Sequence, residues 1–104
     1  MKKKILAIVS HPDDEIIGCG GTLIKHIKQK DQVKVVFTSE SESARSKNIS
    51  INKKNSDERI LQAKKISKKL GFDEPIFLNY PSLSLSRKKI TEMNSEIQKI
   101  IIKF

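Results

Sequence analysis

Two short apolar runs constrain this chain most: Ile5-Leu6-Ala7-Ile8-Val9, and Val33, Val35, Val36 and Phe37 inside Gln32 to Thr38. A strand apolar on successive positions buries both of its faces, which suits a parallel sheet covered by helices on either side. The first run predicts a strand over Lys4 to Ser10 and the second a strand over Gln32 to Thr38. Between them, Ile17 to Lys30 reads as a helix with Ile17, Gly20, Leu23 or Ile24, and Ile27 along one side. Gly20 and Gly21 would let that helix lie close to the sheet, at some cost in helix propensity.

The alternation continues. Ser39 to Asn55 is polar and without periodicity, long for an α/β connection, and reads either as mobile or as part of the site rim. Asn55-Ser56-Asp57-Glu58 has the form of a helix N-cap with a capping-box glutamate. The helix behind it turns Ile60, Ala63, Ile66 and Leu70 inward and stops at Gly71. Ile76 to Leu78 predicts a short third strand. Ile90, Met93, Ile97, Ile100, Ile101 and Phe104 mark a last amphipathic helix. The order β-α-β-α-β-α, with right-handed crossovers, predicts a Rossmann-like open parallel sheet in three α/β/α layers, incomplete as it stands. Ligands of such sheets gather beyond the carboxyl ends of the strands. Three loops should meet there: His11 to Glu15, Thr38 to Glu42, and Asn79 to Ser82.

The first of these loops carries the chemistry. His11-Pro12-Asp13-Asp14-Glu15 places one imidazole and three carboxylates directly after the first strand. Pro12 stiffens the loop and keeps His11 out of a helical conformation. Imidazole and carboxylate three residues apart suit a hard-to-borderline cation, and a spare carboxylate beside them suits a base for water activation. Neighbouring residues of an extended loop point different ways, so one of Asp13 and Asp14 should bind metal while the other reaches the water. A solvated acidic turn capping the next helix would explain Asp14 or Glu15 alone. It would not explain His-Pro before them and Gly-Cys-Gly-Gly-Thr after them. Glu15 reads as a structural carboxylate. Gly18-Cys19-Gly20-Gly21 is no dinucleotide fingerprint, because the acidic loop separates it from the strand and would repel a pyrophosphate. Cys19 reads as a small buried residue, and His26 as a surface residue among lysines.

The string SHPDDEIIGCGGTL after an apolar strand closely resembles the N-terminal signature of the LmbE/PIG-L family of zinc-dependent de-N-acetylases. The resemblance continues through the Arg59 helix ending in Leu70-Gly71 and through Ile76-Phe77-Leu78-Asn79-Tyr80-Pro81. It implies removal of an acetyl group from an N-acetylglucosamine-type sugar or a related N-acylated small molecule. It assigns His11 and Asp14 as zinc ligands and Asp13 as the general base, with ferrous iron as the alternative metal. Arg59 matches a basic position that faces substrate in the family, and a surface charge is the competing reading. The acidic residues common in the family around Asn79 to Ser82 are missing here. So is the later histidine that completes the metal site, since no histidine follows His26.

Two protein ligands fall short of the three that hold a catalytic zinc. The expectation is therefore that residues 1–104 are the N-terminal portion of one deacetylase domain, inactive alone. A non-catalytic metal- or sugar-binding remnant is the alternative. The exposed edge of the third strand and the apolar face of the last helix (Ile97, Ile101, Phe104) would favour self-association, as in a homo-oligomer, or partial unfolding.

Composition narrows the remaining classes. A net charge of +9 raises nucleic acid as a partner. The lysines are spread along the chain, however, and the aromatics are not interleaved with them, so a stacking platform for bases is not expected. Pairs such as Lys64-Lys65 and Lys68-Lys69 read as a solvated helix face. The single cysteine fits a reducing cytoplasm, and no apolar stretch approaches a membrane span.

Overall fold

The computed structural model describes residues 2–11, 14–39, 49–80 and 86–104. The order is β1 (Lys4–Val9), α1 (Asp14–Lys28), β2 (Gln32–Ser39), α2 (Ile49–Leu70), β3 (Ile76–Tyr80) and α3 (Arg87–Lys103). The three strands are all parallel and ordered β1-β2-β3, with Lys4 opposite Gln32 and Val9 opposite Phe37. This is the open parallel α/β sheet expected from the apolar runs.

Alternation along β2 sorts the layers. Val33, Val35 and Phe37 point into a core shared with Leu23 of α1, Ala63 of α2 and Phe72. Phe37 stacks on Phe77 with ring centroids 5.2 Å apart. On the opposite face, Lys34 lies under α3, its ammonium 5.8 Å from the Phe104 ring centroid. Helices α1 and α2 therefore cover one face and α3 the other. Leu23 is the inward residue and Ile24 is exposed, which settles that pair. Lys64, Lys65, Lys68 and Lys69 are all exposed, as a solvated helix face requires.

The end of α2 is a double-bonded cap. Gly71 takes φ +86°, its N–H donates to the Lys68 carbonyl at 3.3 Å, and the Phe72 N–H donates to Ser67 at 2.8 Å. That reversal drops Phe72 into the core. The start of α2 departs from expectation. Asn55 to Glu58 lies inside the helix, which already runs from Ile49. Apolar periodicity marks where a helix packs, and helical backbone extends beyond the packed stripe. Residues 40–48 of the expected connection lie outside the described residues. Helix α1 likewise starts at Asp14 rather than Ile17 and is broken at Cys19 (φ −143°, ψ 17°), between two poor helix formers, Gly18 and Gly20. Gly21 is not needed for close approach to the sheet, since a Cβ there would meet nothing within 4 Å.

Asp31 ties the start of β1 to the α1–β2 turn. Its Oδ1 accepts from the Lys3 N–H at 2.9 Å and its Oδ2 lies 2.8 Å from His26 Nδ1. His26 is thus a half-buried structural partner rather than a surface residue. The hydrogen bond to His26 first, and that from Lys3 second, hold the Asp31 carboxyl below the usual carboxylate range. A lowered native value means the stabilisation is present above the unfolded pKa of about 4 and is lost as pH falls through the native one.

Two outcomes follow. Thermal unfolding of Asp31→Asn should lose less stability on acidification below pH ~4 than the parent chain does; parallel curves would refute the clamp. Gly21→Ala, in open space within a helix, should stabilise the fold by about 1 kcal/mol in denaturant unfolding.

Candidate functional site

The carboxyl ends of the three strands form one edge. Ser10 and His11 follow β1, Ser39 ends β2, and Tyr80 ends β3 opposite Ser39. The Ser39 N–H donates to the Ser10 carbonyl at 2.9 Å, which carries the β1–β2 pairing one step past the end of β1. His11 emerges from that tied position and is half-buried. Asp14 opens α1 three residues later. Asp13 lies outside the described residues.

The β2–β3 register slips between Phe37 and Ser39, so the extra residue falls in β3 near Asn79, which takes φ +58°. An irregularity of this kind re-aims the side chains at a sheet's functional edge. Beyond it Tyr80 is buried at 7% exposure, with the Glu96 carboxylate of α3 acting on its hydroxyl. Burial first, then the Glu96 carboxylate, push the phenol up to about 12. Tyr80 is therefore held as the neutral phenol between this edge and α3. The sequence singled out no role for it; an aromatic closing a strand just before Pro81 was the available signal.

Arg59 lies half-buried within α2, about 15 Å along the axis from the first residue of the helix at 1.5 Å per residue. It does not open the helix. His26 sits towards the other end of α1 from the loop, with Nδ1 held by Asp31, and so takes no part in a donor set with His11. Among the described residues no three His, Cys, Asp or Glu side chains gather into a metal-holding group. What the edge offers is an imidazole at a strand end and a carboxylate residue at the following helix start, a donor chemistry that fits zinc or ferrous iron. No helix among the described residues is long and apolar enough to cross a membrane.

The fold is an open parallel α/β sheet whose strand carboxyl ends share one edge, the edge at which ligands of such sheets gather. Residues 6–104 match the PIG-L family, described as GlcNAc-PI de-N-acetylase, and the chain belongs to that family. Among solved structures it is similar to the N,N'-diacetylchitobiose deacetylase of Pyrococcus horikoshii, with 27% identity, a TM-score of 0.74, and coverage of 93% of this chain and 37% of that one. A conserved protein of Thermus thermophilus has 22% identity, a TM-score of 0.68, and coverage of 96% and 43%. The 4-carboxy-2-hydroxymuconate hydratase of Pseudomonas putida has 23% identity, a TM-score of 0.69, and coverage of 86% and 39%. The latter two establish the fold alone. The chain spans about two fifths of the length of these neighbours.

The tyrosine gives a direct readout, because the chain has one tyrosine and no tryptophan. In a spectrophotometric titration its phenolate should appear near pH 12 in the native protein and about 10 in denaturant. The raised native value means this contribution is intact below the unfolded pKa and is lost as pH rises through 12. Glu96→Gln should lower the native midpoint partway, since burial remains. A native midpoint equal to the denatured one would contradict the burial of Tyr80 beside Glu96.

Proposed function

We propose that this chain carries the metal loop of a zinc-dependent N-deacetylase acting on an N-acetylglucosamine-type sugar or a related N-acylated small molecule. The observation behind this reading is the junction of β1 and α1. A strand ends at the ligand-gathering edge and passes through His-Pro-Asp-Asp into a helix, within a match to a de-N-acetylase family over residues 6–104. The deacetylase among the structural neighbours supports the same class of reaction.

In this reading His11, through a neutral ring nitrogen, and the Asp14 carboxylate hold the metal. Zinc, or ferrous iron in its place, supplies Lewis acidity towards the amide carbonyl and the attacking water. Asp13 accepts the water's proton as oxygen attacks the carbonyl carbon. It returns that proton to the departing nitrogen as the C–N bond breaks, leaving acetate and a free amine. Pro12 fixes the spacing between His11 and the two aspartates. Arg59 is assigned to substrate, and the length of its side chain would have to span the distance from mid-helix. His11 and Asp14 are two of the three donors that a catalytic zinc needs, and His26 is held elsewhere by Asp31. Residues 1–104 alone are therefore expected to bind zinc weakly and to show no turnover, and a non-catalytic metal- or sugar-binding role is the competing reading.

The test is amine release from N-acetylglucosamine substrates by the full-length gene product, together with metal analysis. Asp13→Asn should lower turnover by about 10²–10⁴-fold with metal retained, because the amide keeps the shape but accepts no proton. His11→Ala and Asp14→Ala should lose metal. Stoichiometric zinc in either, or near-normal turnover in Asp13→Asn, would overturn the assignment.

A further inference from the structure

We propose that the outer face of the α1–α2 layer, over the carboxyl-terminal halves of the two helices, docks on an anionic lipid bilayer surface. From Gly18 to Lys28 and from Arg59 to Leu70 the helices contain no Asp or Glu. Lys25 and Lys28 of α1 and Lys64, Lys65, Lys68 and Lys69 of α2 are all exposed there. Helix α3, on the other side of the sheet, mixes its cations with Glu92 and Glu96.

The two helix ends form one surface. Leu23 and Ala63 share the core cluster, and a Cβ at Gly71 would stand 3.6 Å from Ile27 Cγ2. At 3.6 residues per turn, Lys65 stands opposite the buried Ala63 and Ser67, with Leu61 one turn before it and Lys68 one turn after. Lys25 likewise stands opposite Leu23 and Ile27, with Lys28 one turn on. In the turns beyond, Asp31 is engaged by His26 and the Lys3 N–H, and Asp73 by Gln32. Exposed Glu74 is matched in charge by exposed Lys30.

Cations in a last helical turn complement the helix dipole, which accounts for Lys25, Lys28, Lys68 and Lys69. It does not account for Lys64 and Lys65, nor for Ile24 and Leu61, left 37% and 54% exposed among these lysines. The aliphatic pair selects the partner. A bilayer takes aliphatic side chains at its acyl boundary, and its anionic surface attracts each lysine without requiring the ammoniums to converge. A nucleic-acid backbone offers nothing to Leu61. The two helix halves also hold no aromatic for base stacking, and their one arginine, Arg59, is half-buried. Docking here needs neither metal nor turnover, so it stands or falls separately from the deacetylase reading.

The experiment is co-flotation of the full-length gene product with phosphatidylcholine vesicles, with and without phosphatidylserine. Binding should require phosphatidylserine and weaken with rising salt. Lys65→Gln combined with Lys68→Gln should weaken it by about 25-fold, roughly fivefold for each lysine near the surface. Glutamine keeps the helix propensity, so the fold is not at stake. Lys88→Gln combined with Lys89→Gln removes the same charge from exposed positions of α3 and should cost far less affinity. Leu61→Gln should weaken binding with the charge unchanged. No binding to phosphatidylserine vesicles, equal losses in the two double variants, or no loss in Leu61→Gln would each overturn the proposal. Duplex DNA is the competing ligand: tighter binding to it than to the vesicles, with the same dependence on Lys65 and Lys68, would reassign the face to nucleic acid.

Discussion

The burial of β2 on both faces is the constraint on which everything else rests. Val33, Val35, Val36 and Phe37 are wholly inaccessible, and each such side chain contributes about 1.5–3 kcal/mol. No exposed polar contact among the described residues approaches their sum. A strand apolar on both sides needs cover on both sides, and that requirement places α1 and α2 over one face and α3 over the other. It also fixes where chemistry can occur. With the centre of the strand sealed, polar chemistry is left to the ends of the sheet, and His11 stands at the carboxyl end of β1.

Much of this was legible because it follows from composition over short windows. The apolar runs located β1 and β2, Ile76 to Leu78 located most of β3, and Gly71 marked the end of α2 through the one backbone conformation that glycine adopts cheaply. The start of α2 was not legible, because the polar turns from Ile49 carry no apolar stripe and Asn55 to Glu58 mimic a cap. The partnership of His26 with Asp31 was hidden for another reason. The lysines around His26 suggest solvent, whereas the contact depends on how the chain turns between α1 and β2. Along the last helix, Ile97, Ile100 and the capping Phe104 are half-buried while Ile90, Ile101 and Ile102 are exposed. Helical spacing alone did not divide that stripe.

The candidate site divides along the same line. The loop residues announce themselves by type and order, so their position at the carboxyl edge follows once the strands are placed. The bulge at Asn79 and the Tyr80–Glu96 contact depend on register and on packing between β3 and α3, which no local pattern encodes. The shared architecture does not choose the reaction either, since a deacetylase and a hydratase both have it. Specific side chains at the edge must do that.

The break at Cys19 divides α1 into two mechanically distinct pieces. The longer piece is bolted to the core through Leu23 and Ile27, while the short piece from Asp14 to Gly18 sits beyond the joint. A continuous helix would act as a lever, passing any repacking under Leu23 directly to the residue that follows the His-Pro loop. With a joint in between, the first turn takes its direction from the loop and the strand end. Core substitutions beneath α1 can then accumulate without re-aiming Asp14.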